Sequence, residues 1–320
     1  MKSRRLGRTG AAVSEIGYGA WGIGGSQWMG AKDDESLRAL HRAVDLGLDF
    51  IDTALAYGDG HSEALVGRLV KERKEEIRVA TKVPPANHEW PASKPAALVF
   101  PAEHIRASCE TSLRNLGAER IDLLQLHVWR DEYLQAEWIR ETLADLKRAG
   151  KVRWVGISVN DHDPSSALQA AASGLFDTVQ VIYNIYDPTP ADALFPACRK
   201  HDVGVIVRVP FDEGGLLGTI TPDTVFPPGD FRNVYFKGDR KKEVYARTQA
   251  LRTLLDGEAA TLPELALRFC LSHDAVSTVI PGMRRLSSVE SNVAVSDGRR
   301  LSASRLAALR AHAWPRNFYP

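Results

Sequence analysis

Short apolar runs rich in β-branched residues alternate along this chain with longer segments of helical periodicity. The runs are EIGYGAW (15–21), LDFID (48–52), IRVATK (77–82), IDLLQLH (121–127), VRWVGIS (152–158), FDTVQVI (176–182), VGVIVR (203–208) and AVSTVI (275–280). Between them lie amphipathic stretches such as ESLRALHRAVDLG, EHIRASCETSLRNLG and RETLADLKRAG, closing on Gly47, Gly117 and Gly150 where a helix C-cap favours glycine. Near-continuous apolar strands separated by helices imply a parallel sheet covered by helices. Eight such units, with no linker-like shift in composition, predict one α/β domain over residues 1–320, a closed (β/α)8 TIM barrel. The opening RRLGRTGAAVSEI, with turn residues from Gly7 to Gly10, predicts a small hairpin ahead of it. The connection from Val209 to about Lys237 is unusually long, and its Phe226, Phe231, Tyr235 and Phe236 favour an ordered lid.

Six of the runs carry a polar residue at or near their C-terminal end: Asp52, Lys82, His127, Ser158, Gln180 and Arg208. In a parallel barrel those ends converge on one face, where active sites are built. The pattern therefore predicts one pocket ringed by these side chains.

Composition narrows the function. Lys plus Arg (41) nearly balances Asp plus Glu (40), so no global field points to nucleic acid or an anionic membrane. Any bound anion needs a local cluster. Cys109, Cys198 and Cys270 lie far apart, which suits reduced core residues better than a disulfide framework or a metal site. No metal centre is expected. Arg4 and Arg5 form a twin-arginine pair, but LGRTGAAVSEIG after them lacks the apolar core of an export signal. No run approaches the ~18 apolar residues of a membrane helix, so a cytoplasmic enzyme with a small-molecule substrate is expected.

Gly17-Tyr-Gly19-Ala-Trp-Gly22 matches the G-x-G-x-x-G dinucleotide fingerprint, yet IGGSQWMGAKDD follows it where that motif requires a helix. The glycines read instead as a strand and loop that let a ligand approach the backbone. Asp52, Tyr57, Lys82 and His127 carry more chemistry. Carbonyl reduction needs a hydride donor and an acid that protonates the developing alkoxide. A free phenol, with a pKa of ~10, is a weak acid at neutral pH, and a neighbouring cation helps it donate. Lys82 supplies that cation, Asp52 fixes Lys82, and His127 hydrogen-bonds the substrate oxygen. Taken singly, each has a plainer explanation: a buried ion pair, a packed tyrosine, a structural histidine. Their clustering on adjacent strand ends favours the catalytic one.

This set resembles the aldo-keto reductases over essentially the whole chain. The matching pieces are GYGAW, FIDTA-x-xY, ATK, LLQLH, RAGKVRWVGIS, VQVIYNIYD and IPGMRR. The resemblance implies NADP(H) lying extended across the C-terminal face, with hydride passed from nicotinamide to a carbonyl carbon. It further implies that Gly19, Ala20, Trp21 and Asp52 meet the nicotinamide ribose. Ser158, Asn160 and Gln180 would hold the carboxamide, although Val159 separates Ser158 from Asn160 where the family usually has them adjacent. Arg208 stands where the family usually places a tyrosine under the nicotinamide ring, and Pro210 and Phe211 follow it as cofactor neighbours. A cation there is expected to disfavour oxidised nicotinamide. The adenosine end maps onto Gly282, Met283, Arg284, Arg285 and Asn292, with Ser288 and Ser291 departing from the family's usual Gln and Glu. Two arginines at a helix start suit the 2′-phosphate and point to NADPH. Trp28, Trp90, Trp129 and Tyr133, in loops after the first, third and fourth strands, are expected to line the substrate pocket, and Trp138 and Trp154 to lie in the core.

Three other readings stay open at this point. An NADP-dependent dehydrogenase uses the same four residues in reverse on a sugar or secondary alcohol. A non-catalytic NADP(H)-binding regulatory subunit would not need all four. A lyase or isomerase would use Lys82 as a Schiff-base nucleophile.

Overall fold

The predicted alternation is present in the computed structural model, which describes residues 1–320. An antiparallel hairpin, β1 (Ser3–Arg5) and β2 (Ala12–Ser14), comes first, joined through a 3-10 turn at Gly7–Thr9. Eight strands follow: β3 (Tyr18–Gly19), β4 (Phe50–Asp52), β5 (Arg78–Val83), β6 (Ile121–His127), β7 (Val152–Ser158), β8 (Thr178–Ile182), β9 (Gly204–Arg208) and β10 (Val276–Val279). Each pairs in parallel with the next in chain order. The two outer strands meet, because Ile16 and Gly19 bridge to Val279 and Gly282 and the Gly17 N–H donates to the Val279 carbonyl at 2.8 Å. The sheet therefore closes on itself and hides its edges. Only Tyr18–Gly19 of the first apolar run is regular strand, the remainder pairing through these isolated bridges.

The covering helices follow their periodicity. Helix Asp33–Asp45 buries Leu37, Leu40 and Val44 on one face and carries Asp33, Asp34 and Glu35 in its first turn, where the helix dipole favours anions. Gly47, Gly117 and Gly150 adopt the left-handed backbone expected of helix stops.

The barrel interior has two levels. The lower one is apolar: Phe50, Ala80, Leu123, Trp154, Ile206 and Ile280 pack together and are plugged from below by Leu6 and Val13 of the hairpin. Intervening residues such as Ile51, Val79, Leu124 and Val205 face outward into the layer beneath the helices. Inside, Gly156 makes room: a β-carbon there would lie 2.2 Å from the Thr178 hydroxyl oxygen.

The long connection after β9 is ordered. It contains a 3-10 turn at Asp212–Gly214 and a short helix at Arg232–Tyr235. Ile220, Phe226, Tyr235 and Phe236 form their own apolar cluster with Val244 of helix Arg240–Arg252 and with Phe318 of the C-terminal tail. The segment reaches across the barrel mouth, with the Phe231 N–H donating to the Gln27 carbonyl at 2.8 Å and the Met29 N–H to Asp230 at 3.2 Å. Trp154 lies in the inner core as expected, whereas Trp138 is 36% exposed on its helix and anchors only through an indole bond to the Phe100 carbonyl. No helix is long and apolar enough to cross a membrane.

Candidate active site

Two residues above the apolar floor, the same strands present charge. Asp52 ends β4, Lys82 lies next to the end of β5, and Tyr57 follows in the turn after β4. The Lys82 ammonium donates to Asp52 Oδ1 at 2.5 Å, to the Thr53 carbonyl at 2.8 Å and to the Tyr57 hydroxyl oxygen at 3.2 Å. Its three protons thus each have an acceptor. The other Asp52 oxygen accepts from Gln180 at 2.7 Å and from Gln125 at 3.1 Å. Gln125 was not singled out from the sequence, although its place two residues before His127 puts it on the same inward face.

The electrostatics follow from burial. Desolvation opposes the Lys82 charge, but Asp52 and Tyr57 outweigh it and hold the ammonium above its ordinary pKa. Burial raises the Tyr57 phenol, and Lys82 counters this without cancelling it. Lys82 thus eases ionisation as expected, yet desolvation prevails and Tyr57 keeps its proton at neutral pH. His127, ending β6, is pushed well below the usual histidine pKa by burial, then by Lys82 and Arg208. Its ring is neutral, packs against Trp90 with centroids 4.5 Å apart, and leaves Nδ1 without a partner. A neutral imidazole can donate a ring N–H to an oxygen without competing for the acid's proton.

These side chains open into a cavity of about 1350 Å³. Gly19, Ala20, Trp21, Ser158, Gln180 and Arg208 line it near Asp52, Tyr57 and His127. Pro210 and Phe211 line it from the connection after β9, and Gly282, Met283, Arg284 and Arg285 from the loop after β10. Trp28 and Trp90 also face it.

Four expected residues lie elsewhere. Asn160, past the end of β7, turns its amide onto the backbone of Ala92, accepting from the N–H at 3.1 Å. Asn292 is buried in helix Leu286–Ala294, does not line the cavity wall, and leaves its amide nitrogen without a protein partner. Trp129 and Tyr133 are core residues, packed edge-on against Phe176 and Phe100. Position after a strand said nothing about which way those two rings turn.

Arg208 also differs from expectation. It donates to Asp161 at 2.7 Å and to the Val159 carbonyl at 2.9 Å, so its charge is largely neutralised within the protein. The expected penalty on oxidised nicotinamide is correspondingly reduced. Two further groups were missed. Glu213, with a backbone φ of 52°, is buried at the cavity wall, accepts from the Tyr319 hydroxyl of the tail, and has its carboxyl raised by burial to about 7. Arg232 enters the cavity from the lid.

The closed barrel thus brings a buried Tyr–Lys–Asp cluster and a neutral histidine together at its strand ends. The sequence profile of the Aldo/keto reductase family matches residues 15–313, and the chain belongs to that family. It is an NAD(P)-dependent oxidoreductase, of a family that uses NADP(H). It is 30% identical over 311 residues to the NADH-specific methylglyoxal reductase of Escherichia coli, covering 92% of this chain and 93% of that one. Among solved structures it resembles a glycerol dehydrogenase from Gluconobacter oxydans, with a TM-score of 0.79, 29% identity, and coverage of 97% and 94%. It also resembles an aldo/keto reductase from Klebsiella pneumoniae in complex with NADP and acetate, with a TM-score of 0.68, 27% identity, and coverage of 98% and 96%.

The cavity suits the cofactor on its own terms. Ser158 Oγ and Arg208 Nε are buried, face it and lack protein partners, as polar atoms reserved for a ligand would. Arg284 and Arg285 supply positive charge in the loop after β10.

Proposed function

We propose that this protein reduces an aldehyde or ketone to the alcohol with NADPH, Tyr57 acting as the proton donor. The observation that carries the reading is the Lys82 ammonium, buried between Asp52 and the Tyr57 hydroxyl. Bound nicotinamide supplies the hydride to the carbonyl carbon. As the C=O π pair moves onto oxygen, Tyr57 gives that oxygen its proton and Lys82 stabilises the phenolate left behind. His127 orients the same oxygen with a neutral N–H. Gln125 and Gln180 keep Asp52 aimed at Lys82. Ser158 and Gln180 hold the carboxamide, and Gly19, Ala20 and Trp21 meet the ribose. Trp28 and Trp90 wall the space beside the reacting carbonyl. Three buried, unpaired cysteines are compatible with a reducing cytoplasm.

The likeness to a glycerol dehydrogenase supports a second reading, the same machinery run in reverse on an alcohol. Initial rates of cofactor turnover with a panel of carbonyls and alcohols, in both directions, distinguish the two. Faster carbonyl reduction is expected; turnover confined to alcohol oxidation favours the second reading. Tight NADPH binding with no multiple turnover would instead indicate a cofactor-binding regulatory subunit.

A further inference from the structure

The cavity that holds Tyr57 has a second arm. One side of it runs to the loops after β3, β9 and β10, with Trp21, Arg208 and Arg284 on its walls. In a closed barrel of eight strands in chain order, β4 and β5 face β8 and β9 across the axis. The loops after β4 and β5 therefore open on the side away from Arg208 and Phe211. There the cavity is lined by Asp59, His88, Trp90, His104, Ser108 and Thr111. His104, Ser108 and Thr111 stand at i, i+4 and i+7 of helix Ala102–Leu116, so one face of that helix is turned to the cavity.

Two contacts fix the walls of this arm. His104 Nε2 donates to the Pro84 carbonyl at 2.7 Å, tying the helix to the loop after β5. Further along, Gly60 sits so close to the Asn115 amide that a β-carbon would clash with it. Ser108 lies between those points. It is only 5% exposed, yet its hydroxyl makes no hydrogen bond within the protein. Ile105, Cys109 and Leu113 supply the helix's apolar packing, so this polar stripe is an additional face.

The chemistry of the arm sets the class of ligand. The four arginines that line the cavity, Arg208, Arg232, Arg284 and Arg285, all stand on the other side. An anionic tail in this arm would meet the Asp59 carboxylate and no counter-charge. An alkyl tail would cover the Ser108 hydroxyl and leave it without a partner. Hydroxyl groups suit every position: they donate to Asp59, accept from Ser108, and bond the His104 Nδ1 that faces no protein group. Trp90, packed on His127 and 40% exposed, offers indole surface to the C–H bonds between such hydroxyls. We infer that this arm is a subsite for an uncharged, polyhydroxylated tail, which makes the substrate a sugar-like carbonyl compound. The inference rests on the carbonyl-reduction reading above and adds to it a subsite on helix Ala102–Leu116.

Initial rates with NADPH and matched aldehydes of equal chain length test this. The three series are aldoses, counted by their open-chain fraction, unsubstituted alkanals, and aldoses with a terminal phosphate. Aldoses should exceed alkanals by about tenfold in kcat/KM, and the terminal phosphate should lower the value again. Ser108→Ala should cut the aldose-to-alkanal ratio roughly tenfold, chiefly through KM. Ser108→Thr, which keeps the hydroxyl, should recover part of it. Equal losses for both series would overturn the inference, since Ser108 would then serve only the helix's structure. An unchanged ratio in Ser108→Ala would overturn it too, as would a wild-type preference for alkanals or for the phosphates. Tight NADPH binding with no turnover of any aldehyde would remove the carbonyl-reduction reading itself, an outcome separate from the others.

Discussion

On β4 the inward positions run from Phe50 to Asp52, on β5 from Ala80 to Lys82, on β6 from Leu123 through Gln125 to His127, and on β9 from Ile206 to Arg208. The floor of the barrel and its reactive end are thus the same strands, one side-chain step apart. The floor is sealed by Leu6 and Val13 and gains from burying apolar area. The upper level buries charge, and every charge there is partnered: Lys82 by Asp52, Arg208 by Asp161. The contrast shows where stability and chemistry divide. The lower residues make the barrel rigid, and that rigidity fixes polar atoms whose partners lie on neighbouring strands.

The largest effect that would sharpen this contrast is expected from Lys82→Met. Turnover should be lost because Tyr57 loses its cation. Asp52 is left buried without its counter-ion, so stability should also drop by roughly 3–5 kcal/mol. Denaturant unfolding alongside steady-state rates checks both, and an active, fully stable variant would break the account of the upper level.

Leu123→Ala probes the floor on the same strand face as Gln125 and His127. Truncating this buried side chain should cost about 2–5 kcal/mol and change kcat only a few-fold at a temperature where the variant stays folded. A large loss of kcat with little loss of stability would erase the division between the two levels.

Glu213 offers a smaller, pH-dependent effect. Its carboxyl titrates at about 7 when folded, against 4.5 when free, because it is buried. The folded chain therefore holds this proton more tightly than the unfolded chain. Its contribution is fully present below about pH 4.5, declines as pH rises towards 7, and stays lower above that. Glu213→Gln should match wild type near pH 4 and exceed it at pH 8 by up to about 3 kcal/mol, the equivalent of that shift. Thermal unfolding at the two pH values measures this, and equal differences at both would contradict it.

Much of this division was legible in the sequence because strand periodicity is strict. Once LLQLH is a barrel strand, His127 must sit at its end, and Asp52 and Lys82 follow from the same rule. The glycine-marked helix ends and the N-terminal hairpin were equally local signals. The remainder depends on contacts far apart in sequence or on loop direction. Arg208 pairs with Asp161 across 47 positions, which no local pattern announces. Trp129 and Tyr133 sit in loops like Trp28 and Trp90, yet their rings turn inward to Phe176 and Phe100. The inserted Val159 did signal that Asn160 departs from its expected place, but not that it would clasp Ala92. Arg232 and Glu213 reach the cavity wall only because the lid and the C-terminal tail fold over the barrel mouth.

The account's central claim is that Tyr57 donates the proton, and Tyr57→Phe tests it most directly. The substitution removes one hydroxyl and keeps the ring against Trp21 and His127. Single-turnover reduction of a carbonyl, with NADPH prebound, isolates the chemical step from cofactor exchange. A fall of at least ~10²-fold in that rate, with NADPH affinity nearly unchanged, is expected for loss of a general acid. A variant that keeps more than about a tenth of the wild-type rate would contradict the assignment.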